Sequence, residues 1–94
     1  MTREEVITKL EKLYPKMDLR TTEEFDGGKG GIWVASVEDK QCDSKGFQLF
    51  DYYAEDYKEK NYVFGVRKPL HNLLKKWGWF CEWYDCGTIM IWAI

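Results

Sequence analysis

A chain of 94 residues has room for one hydrophobic core and no second domain. Its composition, 45% apolar, 32% charged and 17% aromatic, is that of an ordered globular protein and excludes a disordered tail or a low-complexity linker. The net charge of −2 and the pI of 5.4 argue against a domain built to hold a phosphate backbone.

The first element is announced by Thr2-Arg3-Glu4-Glu5, a capping box in which the Thr2 hydroxyl takes the Glu5 amide and the Glu5 carboxylate reaches back. Val6, Leu10, Leu13 and Tyr14, with Ile7 beside them, recur at three- and four-residue spacing and form one apolar stripe. Pro15 ends this helix, because it bars the residue before it from helical geometry. From Met17 to Phe25, Met17, Leu19, Thr21 and Phe25 fall on one parity and polar residues on the other, which predicts a half-buried strand. The glycine-rich Asp26-Gly27-Gly28-Lys29-Gly30-Gly31 is then a turn joining two antiparallel strands. It lacks the GK[ST] ending of a phosphate-binding loop, and a strand follows it instead of a helix.

Ile32 to Val37 and Phe47 to Tyr53 are predicted as strands that complete a meander, with Tyr62 to Val66 as a fourth short one. A second helix follows: Pro69 suits its first turn, Leu70, Leu73, Leu74 and Trp77 lie along one face, and Gly78 takes the left-handed position that closes it. His71, Lys75 and Lys76 then point outward.

Residues 79 to 94 carry the strongest local signal. Asp85-Cys86-Gly87 between two apolar runs predicts a three-residue hairpin loop with Gly87 at positive φ. The register then sets Tyr84 opposite Thr88, Trp83 opposite Ile89, Glu82 opposite Met90, Cys81 opposite Ile91, Phe80 opposite Trp92 and Trp79 opposite Ala93. A two-residue loop would shift every pair by one and set Glu82 and Tyr84 against Ile89 and Ile91, a poorer match. One face becomes wholly apolar: Trp79, Cys81, Trp83, Ile89, Ile91 and Ala93. The other mixes Phe80, Glu82, Tyr84, Thr88, Met90 and Trp92, a composition that suits either a partner's side chains or a covering helix. The fold class is therefore α+β: a single small domain over residues 1–94, an antiparallel sheet of meander plus C-terminal hairpin, and two amphipathic helices mainly on one face, in the order α-β-β-β-(β)-α-β-β.

Catalysis finds little support. A Ser or Cys nucleophile needs a base, and His71 is the sole histidine. Cys42, Cys81 and Cys86 lack CxxC spacing, so neither zinc nor a disulfide framework is implied, and no cofactor is expected. The odd number of thiols, the absence of an apolar run long enough to span a bilayer, and the lack of a signal-like N-terminus make a cytoplasmic protein the expectation.

Charge is unevenly spread. Residues 18–59 hold eleven acids against five bases, whereas residues 60–94 hold five bases against two acids. Asp51, Glu55, Asp56 and Glu59, interleaved with Tyr52, Tyr53, Tyr57 and Tyr62, form an acidic and aromatic strip that suits the basic groove of another protein. With the mixed hairpin face (Phe80, Glu82, Tyr84, Met90, Trp92), this strip is the candidate partner-binding surface of a non-enzymatic binding protein. Compact acidic chains without a catalytic motif are of the type that phages and mobile elements encode, including inhibitors of host nucleases. Two alternatives stand beside it: a nucleic-acid module using Arg67, Lys68, Lys75, Lys76 and exposed aromatics, and a homo-oligomer built through the hairpin face or the strand edges.

Overall fold

The computed structural model describes residues 1–54 and 60–94, and an α+β domain follows from it. Helix α1 (Arg3–Leu13) begins at the predicted box: the Glu5 amide donates to the Thr2 hydroxyl at 3.2 Å and the Thr2 amide donates to the Glu5 carboxylate at 2.9 Å. Strand β1 (Leu19–Thr21) leads into a short helix α2 (Thr22–Phe25), and β2 (Ile32–Val34) returns antiparallel to β1. A two-stranded ribbon, β3 (Tyr62–Val63) and β4 (Val66–Arg67), precedes α3 (Lys68–Lys76), and Gly78, at φ +85°, follows that helix as predicted. The chain closes with β5 (Trp79–Asp85) and β6 (Thr88–Ala93).

The main sheet is antiparallel in the order β1-β2-β6-β5, so the C-terminal hairpin joins it through β6 against β2. Two rows of side chains line its inner face: Leu19, Val34, Ile89 and Trp83 in one, Thr21, Ile32, Ile91 and Cys81 in the other. The buried core on that face joins Val6 and Leu10 of α1, Leu70 and Leu74 of α3, and Ile32, Val34, Ile89 and Ile91 of the sheet. Burial pushes the Cys81 thiol up to about 12, so it behaves as a small apolar residue of this core.

The strand predicted from Ile32 to Val37 ends at Val34 and gives way to a short helical turn at Val37–Asp39, and the single strand predicted from Tyr62 to Val66 is instead the β3–β4 ribbon, folded back at Phe64 and Gly65. The structure departs from the predicted elements in three further places. The strand expected from Met17 to Phe25 stops at Thr21, because Thr22 and Glu23 bind the glycine segment instead. The buried Thr22 hydroxyl donates to the Gly28 carbonyl at 2.7 Å and accepts from the Gly31 amide at 3.1 Å, while Glu23 accepts from Gly30 at 3.1 Å and from Arg3 at 2.8 Å. Phe47 to Tyr53 forms only isolated bridges, Cys42 to Gln48 and Phe50 to Val66. Leu49 and Phe50 are both buried, and the backbone bonds of this segment are spread over three partners: Leu49 N–H to the Gln41 carbonyl, Arg67 N–H to the Leu49 carbonyl and Asp51 N–H to the Gly65 carbonyl.

The third departure is the hairpin loop. The pairs from Trp79↔Ala93 to Trp83↔Ile89 are those predicted, but the irregularity lies between Trp83 and Asp85, and Asp85 faces Thr88 across a two-residue turn. Gly87 is not at positive φ. Its amide donates to the Asp85 carboxylate at 2.9 Å, and the bulge at Tyr84 supplies the twist that the predicted Gly87 would have given.

Candidate functional site

Of the expected partner surface, Tyr52 and Tyr53 lie beside Trp83 on the inner face of the hairpin, opposite to the mixed face. On the outer face, Arg20, Trp33, Met90 and Glu82 form one row across all four strands. Met90 is nevertheless buried, at 3% exposure, so it presents nothing to a partner. The ring of Phe25, carried by α2, lies 4.9 Å from both Trp33 and Tyr84 on this face. Trp92 packs where a side chain on Gly31 would stand, its ring atoms 2.5 and 2.6 Å from that Cβ position. Much of the mixed face is thus satisfied by the chain's own residues; Phe80, Glu82 and Tyr84 remain exposed.

The inner face behaves differently toward the hairpin tip. There Trp83 is half-buried and in contact with Phe50 and Tyr52 of the 50–53 segment and with the β3–β4 turn. Tyr52 meets Trp83 edge-to-face at 5.1 Å and 83°, Tyr53 meets Tyr52 at 5.3 Å and 82°, and Phe50 meets Trp83 at 6.5 Å and 87°. These rings line a cleft of about 370 Å³ together with Glu38 and Asp51, the hairpin-tip residues Cys86 and Gly87, and Lys40. The Cys86 thiol beside the phenol of Tyr53 raises its pKa above the ordinary value, so the hydroxyl stays protonated at neutral pH.

The backbone around the cleft is held tightly. The Trp83 indole Nε1–H donates to the Phe64 carbonyl at 2.6 Å, and the Asp51 amide donates to the Gly65 carbonyl at 2.7 Å. Phe64 and Gly65 form the two-residue turn between β3 and β4 with φ of +48° and +78°, the pattern of a type I′ turn. Glycine or asparagine is the usual first residue of such a turn. Here it is a phenylalanine, 90% exposed.

Of the residues singled out from the sequence, Asp51, Tyr52 and Tyr53 belong to this cleft, and Glu55, Asp56, Tyr57 and Glu59 lie outside the described residues. Trp83 was not among them, because its parity placed it on the wholly apolar face of the hairpin. The basic set divides as well. Lys68, Lys75 and Lys76 are exposed, whereas Arg67 is 5% exposed and pairs with Asp43 at 2.6 Å. Among the described residues no three His, Cys, Asp or Glu side chains are grouped to hold a metal ion, and no helix is long and apolar enough to cross a membrane. Family models, curated proteins and solved structures give no significant match to this chain, so its surfaces are read from its own residues.

Proposed function

We propose that the chain is a non-enzymatic protein-binding domain that takes a lysine or arginine side chain of its partner into the cleft beside Trp83. The observation that carries this reading is the set of Tyr52, Tyr53 and Trp83, ring against ring at right angles, beside the carboxylates of Glu38 and Asp51. Ring faces attract a cation through their quadrupole, by roughly 0.5–2 kcal/mol according to how far the site is desolvated. The carboxylate of Glu38 and that of Asp51 add charge of the right sign.

The chain holds an example of the same chemistry on its other face. Arg20 lies 5.6 Å over the Trp33 ring while two of its nitrogens reach the two carboxylate oxygens of Asp18, each at 3.2 Å. The excess of acids over residues 18–59 would speed the approach of a basic surface, and proteins that handle nucleic acids carry such surfaces. An inhibitor that occupies a basic groove fits this chemistry.

Calorimetry with a short peptide containing two arginines and two lysines tests the reading, against the same peptide carrying citrulline and norleucine instead. The charged peptide is expected to bind with an affinity that falls about tenfold in Glu38→Gln or Tyr52→Ala, and to weaken further as salt rises. Equal affinity for the two peptides, or indifference to both substitutions, would overturn it.

A further inference from the structure

A second and wider cleft, of about 900 Å³, lies between the end of α1, the 39–45 segment and the start of α3. Arg67 lines it from below. Its guanidinium stacks 4.2 Å from the centre of the Phe47 ring, Nε donates to Asp43 Oδ2 at 2.6 Å, and Nη1 donates to the Asn61 carbonyl at 3.3 Å. Nη2 has no acceptor among the described residues. No buried side-chain nitrogen or oxygen among those residues lacks a partner, so Nη2 is not sealed in, and the residue that carries it lines the cleft.

Asp43 has no such spare capacity. Oδ2 is held by Arg67, and Oδ1 accepts from the amides of Lys45 and Phe47 at 2.9 and 3.1 Å. The pair is neutral as a unit, which leaves Lys16 and Lys45 against Asp39 as the charge on the rim. The Tyr14 phenol also lines the cleft; burial, then the field of Asp43, raises its pKa, so it remains a donor at neutral pH. At the cleft's edge Pro69 lies in the first turn of α3, and no side chain caps that helix and no acid stands in its first turn. Leu13, Pro15 and Pro69 supply apolar wall.

We propose that this cleft binds a small molecule bearing an oxyanion, a carboxylate or a phosphate, with the anionic group at Arg67 Nη2, Tyr14 and Lys45 and the body of the molecule against Leu13, Pro15 and Pro69. Arg67 is matched to such a group because its guanidinium is already oriented by Asp43 and Phe47 and loses little freedom on binding. The site is separate from the aromatic cleft, and its chemistry is of the opposite sign.

The test is a pair of NMR titrations of the whole chain, with inorganic phosphate and with benzoate, at constant ionic strength set by chloride. Saturable shifts are expected at Ser44, Lys45 and Arg67, with affinity lowered about three- to tenfold in both Tyr14→Phe and Lys45→Gln. These residues are at the cleft surface, so the variants keep the buried pair intact. Saturation by phosphate alone identifies a phosphoryl ligand, and saturation by benzoate alone or more tightly identifies a carboxylate with an apolar body. The absence of saturable shifts with either anion, or affinities unchanged in both variants, would overturn the proposal.

Discussion

Gly65→Ala tests how tightly the β3–β4 turn is tied to the aromatic cleft. Gly65 is at φ +78°, where a residue with a Cβ costs roughly 1–2 kcal/mol. That Cβ would also lie 2.7 Å from the Asp51 carbonyl oxygen and 3.1 Å from two atoms of the Trp83 ring. The first neighbour is backbone and is itself fixed by the Asp51 amide bond to the Gly65 carbonyl, so it has little room to retreat. Relieving the contact adds roughly 1–3 kcal/mol, the usual cost of forcing extra volume into a packed site. The expected total is about 2–5 kcal/mol, or a fall in Tm on the order of 10–25 °C for a domain of this size. Urea unfolding at 25 °C gives the energy and thermal unfolding gives the shift. A loss below about 0.5 kcal/mol, the scale of an ordinary surface substitution, would mean that turn and cleft are not coupled as described.

Phe64→Asn should act in the opposite sense on the same turn: asparagine tolerates positive φ, so stability should rise by up to about 1 kcal/mol in urea unfolding, while a loss would contradict the strain assigned to Phe64. Thr22→Val removes the hydroxyl that serves Gly28 and Gly31 and leaves the buried Gly31 amide without its partner, so it should cost about 1–3 kcal/mol by thermal unfolding. Burial opposes ionisation of Asp43, but hydrogen bonds from Arg67, Phe47 and Lys45 outweigh it and hold the carboxyl below its ordinary value of 3.8. Its contribution to stability is therefore complete above that value and is lost as pH falls through the lower, folded one. Asp43→Asn should flatten the stability profile below about pH 4, and an unchanged acid limb in a pH series of urea midpoints would refute the assignment.

What could be read from the sequence was local. The capping box at Thr2, the close of α3 at Gly78 and the pairing of Trp79 to Trp83 with Ala93 to Ile89 each depend on residues a few positions apart, whose geometry is set by helix ends and hairpin turns. The short α2 was not visible, because its cause is the bonding of Thr22 and Glu23 to glycines further along the chain. Nor was the loss of regular strand at Phe47–Tyr53, whose backbone bonds go to Gln41, Gly65 and Arg67, residues that lie far from one another in the chain.

The same division holds for the surfaces. Asp51, Tyr52 and Tyr53 stood out by composition, but their neighbours Glu38 and Trp83 come from other parts of the chain, and only the fold brings them to one cleft. Met90 shared a parity with Phe80 and Trp92, and parity alone does not reveal that it is buried while Phe80 stays open to solvent.

The proposal that the Trp83 cleft takes a cationic side chain is tested most directly by mapping an arginine- and lysine-bearing peptide onto the protein by NMR. Shifts should be largest at the Trp83 indole N–H and at the amides of Glu38, Tyr52 and Tyr53, and should shrink in Tyr52→Ala. Shifts centred instead on Phe25, Trp33 and Tyr84 of the outer face, or none that saturate, would contradict it.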